Sequence, residues 1–462
     1  MKLLIITTLL SLLLCTTMYV YFLRKKTCTK DLTGKDAVFY IILMLITALI
    51  MKVVGSIYYW ERGDMGAFIS WMKGLQEDGF SGFYTKHGLA YPPLHIFTVY
   101  ILGIFNSALG FADNSMLQIL LLKSPALICD VLTAGLIYII AAKHMSRKAG
   151  LAGCFIYLLN PAAIFISSVW GQMDSIYTFF IVLMCYLVTE KKLKAAYFAF
   201  AASILFKYQG VIFAPVIICA ILDQVILNKC TVKKFFSHLL VGLSAILAMV
   251  LLHLPFFSGT TAEQSISESY GSAFSSFAYC SVNAYNFWAM LGLNWHTQED
   301  TFLSITYNHL GTIAIVSLVI VSIVYSLFAR KKNITNRYFV IGTFVISTMF
   351  IYSVRMHERY LFPAIPLVLG AFLVKDCCDV DENGNAHYRK SDIIYYIVYV
   401  LFSLMNLYNC AHVLFYYNPY AYDPKATAIV GISAGTVVTW VILVGMMVYS
   451  CVKPKYDKTY IG

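Results

Sequence analysis

Asp64 lies in "RGDMGAFISWMKGLQEDGFSGFY", residues 62–84, just after a long apolar run. A carboxylate in that place, with Glu61 three residues before it, can take a proton from a hydroxyl as a general base. Other unusual polar residues recur where apolar runs end. "WGQMDS" carries Gln172 and Asp174, and "FKYQG" carries Lys207 and Gln209. "RMHERYLFPAIP" carries Arg355, His357, Glu358 and Arg359, and "SVNAYNFW" carries Asn283 and Asn286. Cations at the level of lipid headgroups suit a phosphate on a lipid. Trp60, Trp71, Tyr84 and Tyr91 suit sugar rings, which stack on aromatic faces, and equally suit an interfacial aromatic belt.

Each of these residues also has a plainer reading. Lys207 and Arg355 can snorkel to headgroups. Gln172, Asn283 and Asn286 can cap helices or bond one helix to another. Glu358 can orient its neighbours. Asp130 falls about 20 Å along its helix, where an ionisable group is costly and needs a partner. Lys123, two turns earlier on the same face, is the expected partner in a structural ion pair.

The elements that must position these residues are membrane helices. The 462 residues are 60% hydrophobic and 12% charged, with mean hydropathy +0.73. Apolar runs of about 20 residues recur along the chain, which excludes a soluble multi-domain protein. Because the runs are continuous rather than alternating, a β-barrel is excluded as well. The net charge of +11 does not point to nucleic acid, because the basic residues sit in short loops between the runs. The twelve Cys are scattered, with no CxxC pair, and adjacent Cys377 and Cys378 make a poor metal site. All are expected to be reduced packing residues.

Spans are expected near 3–23, 36–58, 116–141, 149–169, 173–189, 193–206, 209–224, 235–256, 306–328, 337–354, 360–374, 392–413 and 426–451, about thirteen helices in all. The first run lacks an Ala-x-Ala-like cleavage site and is followed by Arg24, Lys25 and Lys26, so it reads as a retained span with an outside N-terminus. The run 91–111 decides the topology. If it does not cross, 24 of the 34 Lys and Arg residues fall inside, grouped at 24–35, 143–148, 191–194, 229–234, 330–337, 375–390 and 453–458. If it crosses, the last six groups move outside. The positive-inside rule therefore makes 91–111 a helix lying in the outer face. Tyr91-Pro92-Pro93 starts it, since proline is tolerated in a first helical turn. The loops at 59–115 and 257–305 and the turns at 170–173, 207–208 and 355–359 then share the outside face.

"RGDMGAFISWMKGLQEDGFSGFY…AYPPL", "WGQMDSIYTFFIVL", "FKYQGVIFAPV", "SVNAYNFW" and "MHERYLFPAIPL" together resemble the GT-C membrane glycosyltransferases. The nearest group looks like the bacterial proteins related to the second mannosyltransferase of glycosylphosphatidylinositol assembly. A more distant similarity is to the eukaryotic enzymes that glucosylate lipid-linked oligosaccharide. The resemblance runs from about residue 36 to 375, through motifs in the right order on one expected face. It implies an all-α polytopic GT-C fold with lateral helices in the first external loop, in agreement with the charge count for 91–111. It also implies a polyprenyl-phosphate-linked sugar as donor, with mannose as the default, and transfer on the extracytoplasmic side; the compact loops point to a bacterial plasma membrane.

Residue by residue, the resemblance gives Asp64 the position of the catalytic base and gives His357 and Arg359 the donor phosphate. Lys207 matches more loosely. Glu61, Gln172, Asp174, Gln209, Asn283, Asn286, Glu358 and Tyr91 are expected as supporting or substrate-contacting residues. A polyprenyl phosphate leaves readily, so one carboxylate suffices and inversion at the anomeric carbon is expected. No metal or other cofactor is required; a divalent cation is compatible but not indicated, as the loop has no Asp-x-Asp or Asp-x-Glu pair.

The chain divides into an extra span with a basic loop (1–35), a core (36–375) and a C-terminal loop with two further spans (376–462). The acceptor, whether glycan, lipid or protein, stays open. A transporter or flippase for a lipid-linked saccharide is the reading from another class. Broken spans and Asp130 would serve it, but the two halves show no internal repeat. A protein O-glycosyltransferase of the same fold is the other alternative. An inactive scaffold is disfavoured by Asp64 and the His357-Glu358-Arg359 run.

Overall fold

The computed structural model describes residues 33–58, 61–87, 91–257, 277–374, 379–380, 386–387, 390–418 and 422–452. The expected span at 3–23, Trp60, and the Cys377–Cys378 pair lie outside the described residues.

The architecture is all-α and polytopic. In chain order the helices are α1 (Gly34–Tyr58), α2 (Arg62–Asp78), α3 (Phe83–His87), α4 (Pro93–Leu109), α5 (Met116–His144) and α6 (Arg147–Leu158). They continue as α7 (Pro161–Trp170), whose second half is a π-turn, α8 (Asp174–Thr189), α9 (Leu193–Phe206), α10 (Tyr208–Ile226) and α11 (Val232–His253). The last are α12 (Phe287–Met290), α13 (Tyr307–Lys331), α14 (Arg337–Tyr352), α15 (Ala364–Leu373), α16 (Lys390–Tyr416) and α17 (Thr427–Val452). Two small hairpins pair Thr301–Phe302 with Ile305–Thr306 and Asp379–Val380 with Ala386–His387.

Among the described residues seven helices are long and apolar enough to cross a membrane: α1, α5, α10, α11, α13, α16 and α17. The α6–α7 pair, bent by 47°, can count as an eighth. The remaining apolar helices, α4, α8, α9, α14 and α15, have 10–17 residues. Of these, α8, α9, α14 and α15 fall on expected spans, so the expected spans are of unequal length among the described residues. An apolar run reports burial, and a protein interior buries a helix as well as lipid does. α14 is buried at nearly every position from Tyr338 to Ile351, and α15 at every position. Both are apolar without being long.

The run 91–111 forms α4, opened by Pro92 and Pro93 as expected and closed by Gly110 in the left-handed conformation (φ 64°). Its 17 residues rise about 25 Å, less than the hydrocarbon core of about 30 Å. α2 is amphipathic: it buries Met65, Phe68, Ile69, Trp71, Met72 and Leu75 and exposes Arg62, Lys73, Glu77 and Asp78. That face packs on α4, where His95, Ile96, Val99 and Leu102 meet it. The approach is close at Gly103, where a Cβ would lie 2.9 Å from Met72 Cγ. Trp71 and Tyr84 belong to this buried aromatic cluster, Trp71 beside Phe68 and Tyr91, Tyr84 against Phe256. They are core residues and do not offer open faces for sugar rings.

Inside the bundle the expected Lys123–Asp130 pair does not form. Asp130 is held by Lys52 of α1 at 2.5 Å and accepts from Tyr157 at 3.1 Å. All three side chains are buried. Seven residues of helix bring two side chains to one face, but they also set them two turns apart, about 10 Å. A residue on a neighbouring helix reaches the carboxylate more easily. The described cysteines are all free.

Candidate active site

Four short helices end at the same place, and their ends make the site. Asp174 is the first residue of α8 and Lys207 is the residue that closes α9. α14 ends at Tyr352 and α15 begins at Ala364, with "SVRMHERYLFP" between them. Asp174 at a helix N-terminus and Lys207 at a C-terminus each complement their helix dipole. α8 packs along α9, and this brings the two charges together at 2.7 Å.

Asp64 reaches the same place from the first turn of α2. The Glu61 carboxylate caps that helix, accepting the Asp64 backbone N–H at 2.5 Å. The Asp64 carboxylate, half-buried, is clamped on one oxygen. The indole N–H of Trp170 donates to Oδ2 at 2.9 Å, and the Gln172 amide donates to the same atom. Oδ1 accepts no hydrogen bond among the described residues.

Trp170 also connects the acid to the cations. Its ring lies 5.8 Å from the Arg359 guanidinium carbon. Arg359 donates to Glu358 at 2.6 Å and stands 3.7 Å from Asp174. The second contact is loose: Arg359 Nε and Asp174 Oδ2 are both buried without a hydrogen bond. Tyr360 completes the wall, with Lys207 5.2 Å and Arg359 5.9 Å from its ring and Gln209 donating to its hydroxyl at 2.7 Å. Tyr91 packs against His95, with ring centroids 4.4 Å apart and the planes tilted by 35°.

The electrostatics follow from burial among opposite charges. Desolvation pulls Arg359 down, but the fields of Glu358, Asp64 and Asp174 outweigh it and hold the guanidinium charged. Desolvation raises the Glu358 carboxyl, with Arg359 opposing. Lys207 is lowered by burial, against the pull of Asp174. His357 is lowered well below the usual histidine range, first by desolvation and then by Arg359 and Lys207, so its ring is neutral at pH 7. Desolvation pushes Tyr360 up to about 12 and also raises Tyr91. The site is therefore not a bare cationic patch. Two cations meet three acids, and the Arg359–Asp174 contact is the joint most open to exchange.

The expected residues divide into two sets. Asp64, Gln172, Asp174, Lys207, Gln209, Glu358 and Arg359 form one connected network through Trp170 and Tyr360. Tyr91 lies close enough for Arg359 and Asp64 to act on its hydroxyl. Asn283 and Asn286 bond within their loop and tie it to α14 and to the turn at His357. Asn286 caps α12 and donates to the Phe350 carbonyl at 2.9 Å. Asn283 accepts from Trp295 at 2.8 Å and pairs its backbone with His357. Phe277, Asn283, Trp295 and Arg355 all hold positive φ, a strained backbone gathered around His357. Arg355 points into this loop, donating to Gln298 at 2.8 Å. Trp170, Tyr360 and Lys52 were not singled out from the sequence. Lys52 had a signal, an ionisable residue inside an apolar run. Trp170 and Tyr360 had none, because a membrane protein places Trp and Tyr at many helix ends. Among the described residues no three His, Cys, Asp or Glu side chains gather as metal ligands.

An apolar cleft of about 530 Å³ runs between α4, α5, α8 and α9. Its lining includes Ile176, two residues on from Asp174, and Phe206, which precedes Lys207. Residues 92–255 match the family model of dolichyl-phosphate-mannose-protein mannosyltransferases. The matched stretch carries the Gln172, Asp174 and Lys207 parts of the site, while Asp64 and the 355–360 turn lie outside it. No curated protein matches the chain. The family match supports a membrane glycosyltransferase of the GT-C type.

Proposed function

We propose that this chain is an inverting glycosyltransferase that moves a sugar, mannose by analogy with the matched family, from a polyprenyl-phosphate carrier to a hydroxyl acceptor. The reaction takes place on the extracytoplasmic face of a bacterial plasma membrane. The observation that carries the reading is the Asp64 carboxylate. Two donors fix its Oδ2, its Oδ1 is left for a proton, and Trp170 ties it to the charged network.

In this reading the acceptor hydroxyl attacks the anomeric carbon as the bond from that carbon to the phosphate oxygen breaks. The hydroxyl proton passes to Asp64 Oδ1. The electron pair of the broken bond stays on the polyprenyl phosphate, whose second negative charge falls to Arg359, with His357 and Lys207 beside it. One displacement gives inversion. The donor phosphate takes the place of Asp174 at Arg359 Nε, the least satisfied contact of the network. Cations that bind the ground state modestly and the departing dianion more strongly lower the barrier. The apolar cleft beside Ile176 and Phe206 supports a lipid-borne donor. The acceptor has a second reading, protein Ser or Thr hydroxyls, favoured by the description of the matched family.

A deletion strain tests the reading through its lipid-linked sugars and cell-envelope glycans. Loss of a mannose-containing product, restored by the wild type and not by Asp64→Asn, is expected. With purified protein the Asp64→Asn loss should be about 100-fold or more, with donor binding kept. Near wild-type turnover of Asp64→Asn overturns the reading. Glu61→Gln, which still offers a capping oxygen, should stay close to wild type.

A further inference from the structure

Lys123 is a wholly buried cation that the proposed reaction does not use. The acid expected to pair with it, Asp130, is taken by Lys52. Lys123 Nζ donates instead to backbone carbonyls, Ser168 at 2.6 Å, Val169 at 3.1 Å and Ser56 at 3.2 Å. Ser168 and Val169 stand in the last turn of α7, where carbonyls have no partner within their own helix. Within that π-turn, the backbone N–H groups of Gly171 and Gln172 both return to Ile166. A cation is also favoured at a helix C-terminus. Ser56 stands in the last turn of α1, the helix that leads to Glu61 and α2.

The next three residues after these carbonyls are Trp170, Gly171 and Gln172. The first and third donate to Asp64. Gly171 holds φ +89°, and a Cβ there would lie 2.8 Å from Lys123 Cε and 3.1 Å from Met65 Cε. The lysine stem thus passes under the turn at a distance only glycine accepts, and Met65 is the residue after Asp64. Lys123 touches the donor side of the Asp64 clamp at Gly171, and Met65, next to Asp64, comes up to the same glycine.

We propose that Lys123 is a positioning residue for Asp64. Its ammonium ties the end of α7 to the end of α1 and so fixes how Trp170 and Gln172 meet the carboxylate. The consequence for rate rests on the reading of Asp64 as the base; the consequence for geometry does not.

The test uses the full chain in detergent, labelled with 5-fluorotryptophan, and reads the fluorine resonance of Trp170 among the six tryptophans. Trp170→Phe identifies the signal by its loss, and Asp64→Asn shows how far it moves when the charged acceptor goes. Lys123→Met is expected to shift or split the Trp170 signal. It should also lower kcat by about 10- to 100-fold, as small misplacements of a catalytic group do, with the donor KM within about two-fold. Combined with Trp170→Phe, which keeps a ring against Arg359 and removes the N–H, it should lose little beyond the larger single loss. An unchanged Trp170 signal in Lys123→Met, or losses that multiply in the double variant, overturns the proposal. If Lys123→Met does not fold, Gly171→Ala presses on the same contact from the other side, and an unchanged Trp170 signal and kcat there overturn it equally. A wild-type protein without transfer activity refutes the glycosyltransferase reading, and the fluorine signal still decides the role of Lys123.

Discussion

Replacing Arg359 by lysine separates donor recognition from helix anchoring, with Arg355 as its comparison. Arg359 uses one arm on Glu358 at 2.6 Å and keeps Nε buried without a hydrogen bond. Its flat face lies 5.8 Å from Trp170 and 5.9 Å from Tyr360. A lysine has one compact head for all these contacts, so it cannot hold Glu358 and two phosphate oxygens together. One charge-assisted hydrogen bond lost from the departing phosphate amounts to about 1.5–3 kcal/mol, or roughly 10- to 100-fold in kcat/KM. Arg355 lies four residues earlier but donates to Gln298 at 2.8 Å, within the 277–298 loop. Arg355→Lys should therefore stay within about two-fold of wild type. The assay is kcat/KM with a short-chain polyprenyl-phosphate sugar for both variants. Equal losses at the two positions would show that the turn anchors a helix end and does not hold the donor.

Three further outcomes follow from the same contacts. Burial raises Glu358 while Arg359 holds it down; a donor phosphate engaging Arg359 weakens that hold, the carboxyl takes up protons, and donor KM should rise with pH. A KM independent of pH, or one unaltered in its pH dependence by Glu358→Gln, contradicts this. Lys52→Met should destabilise the chain by about 3–5 kcal/mol by stranding Asp130, and Lys52→Met with Asp130→Leu should recover much of it. Denaturation in detergent measures both, and a double variant no more stable than the single one refutes the pairing argument. Finally, Asn114→Cys, at the exposed turn between α4 and α5, should react with an impermeant thiol reagent on intact cells; reaction only after permeabilisation would put 91–111 across the membrane.

Composition and run length alone determined that this is an all-α membrane protein, because only helices satisfy their backbone in lipid. Local chemistry set the boundaries of α4, through Pro92, Pro93 and Gly110, and marked 170–174, 207–209 and 357–360 as unusual. Hydropathy could not tell a lipid-facing helix from one packed against protein, so the long α13 and the short, buried α14 and α15 read alike. Helix spacing could not pair the buried charges either. It places side chains on a face of one helix, whereas Asp130 is answered by Lys52 from another helix and Lys123 by carbonyls that a π-turn leaves open. The tertiary structure alone decided that Trp170 joins Asp64 to Arg359, and that Asn283 and Asn286 tie their loop to the His357 turn and to α14. The reason is physical: a side chain's type fixes which bonds it can make, but only the packing of distant helix ends fixes which partner arrives within 3 Å.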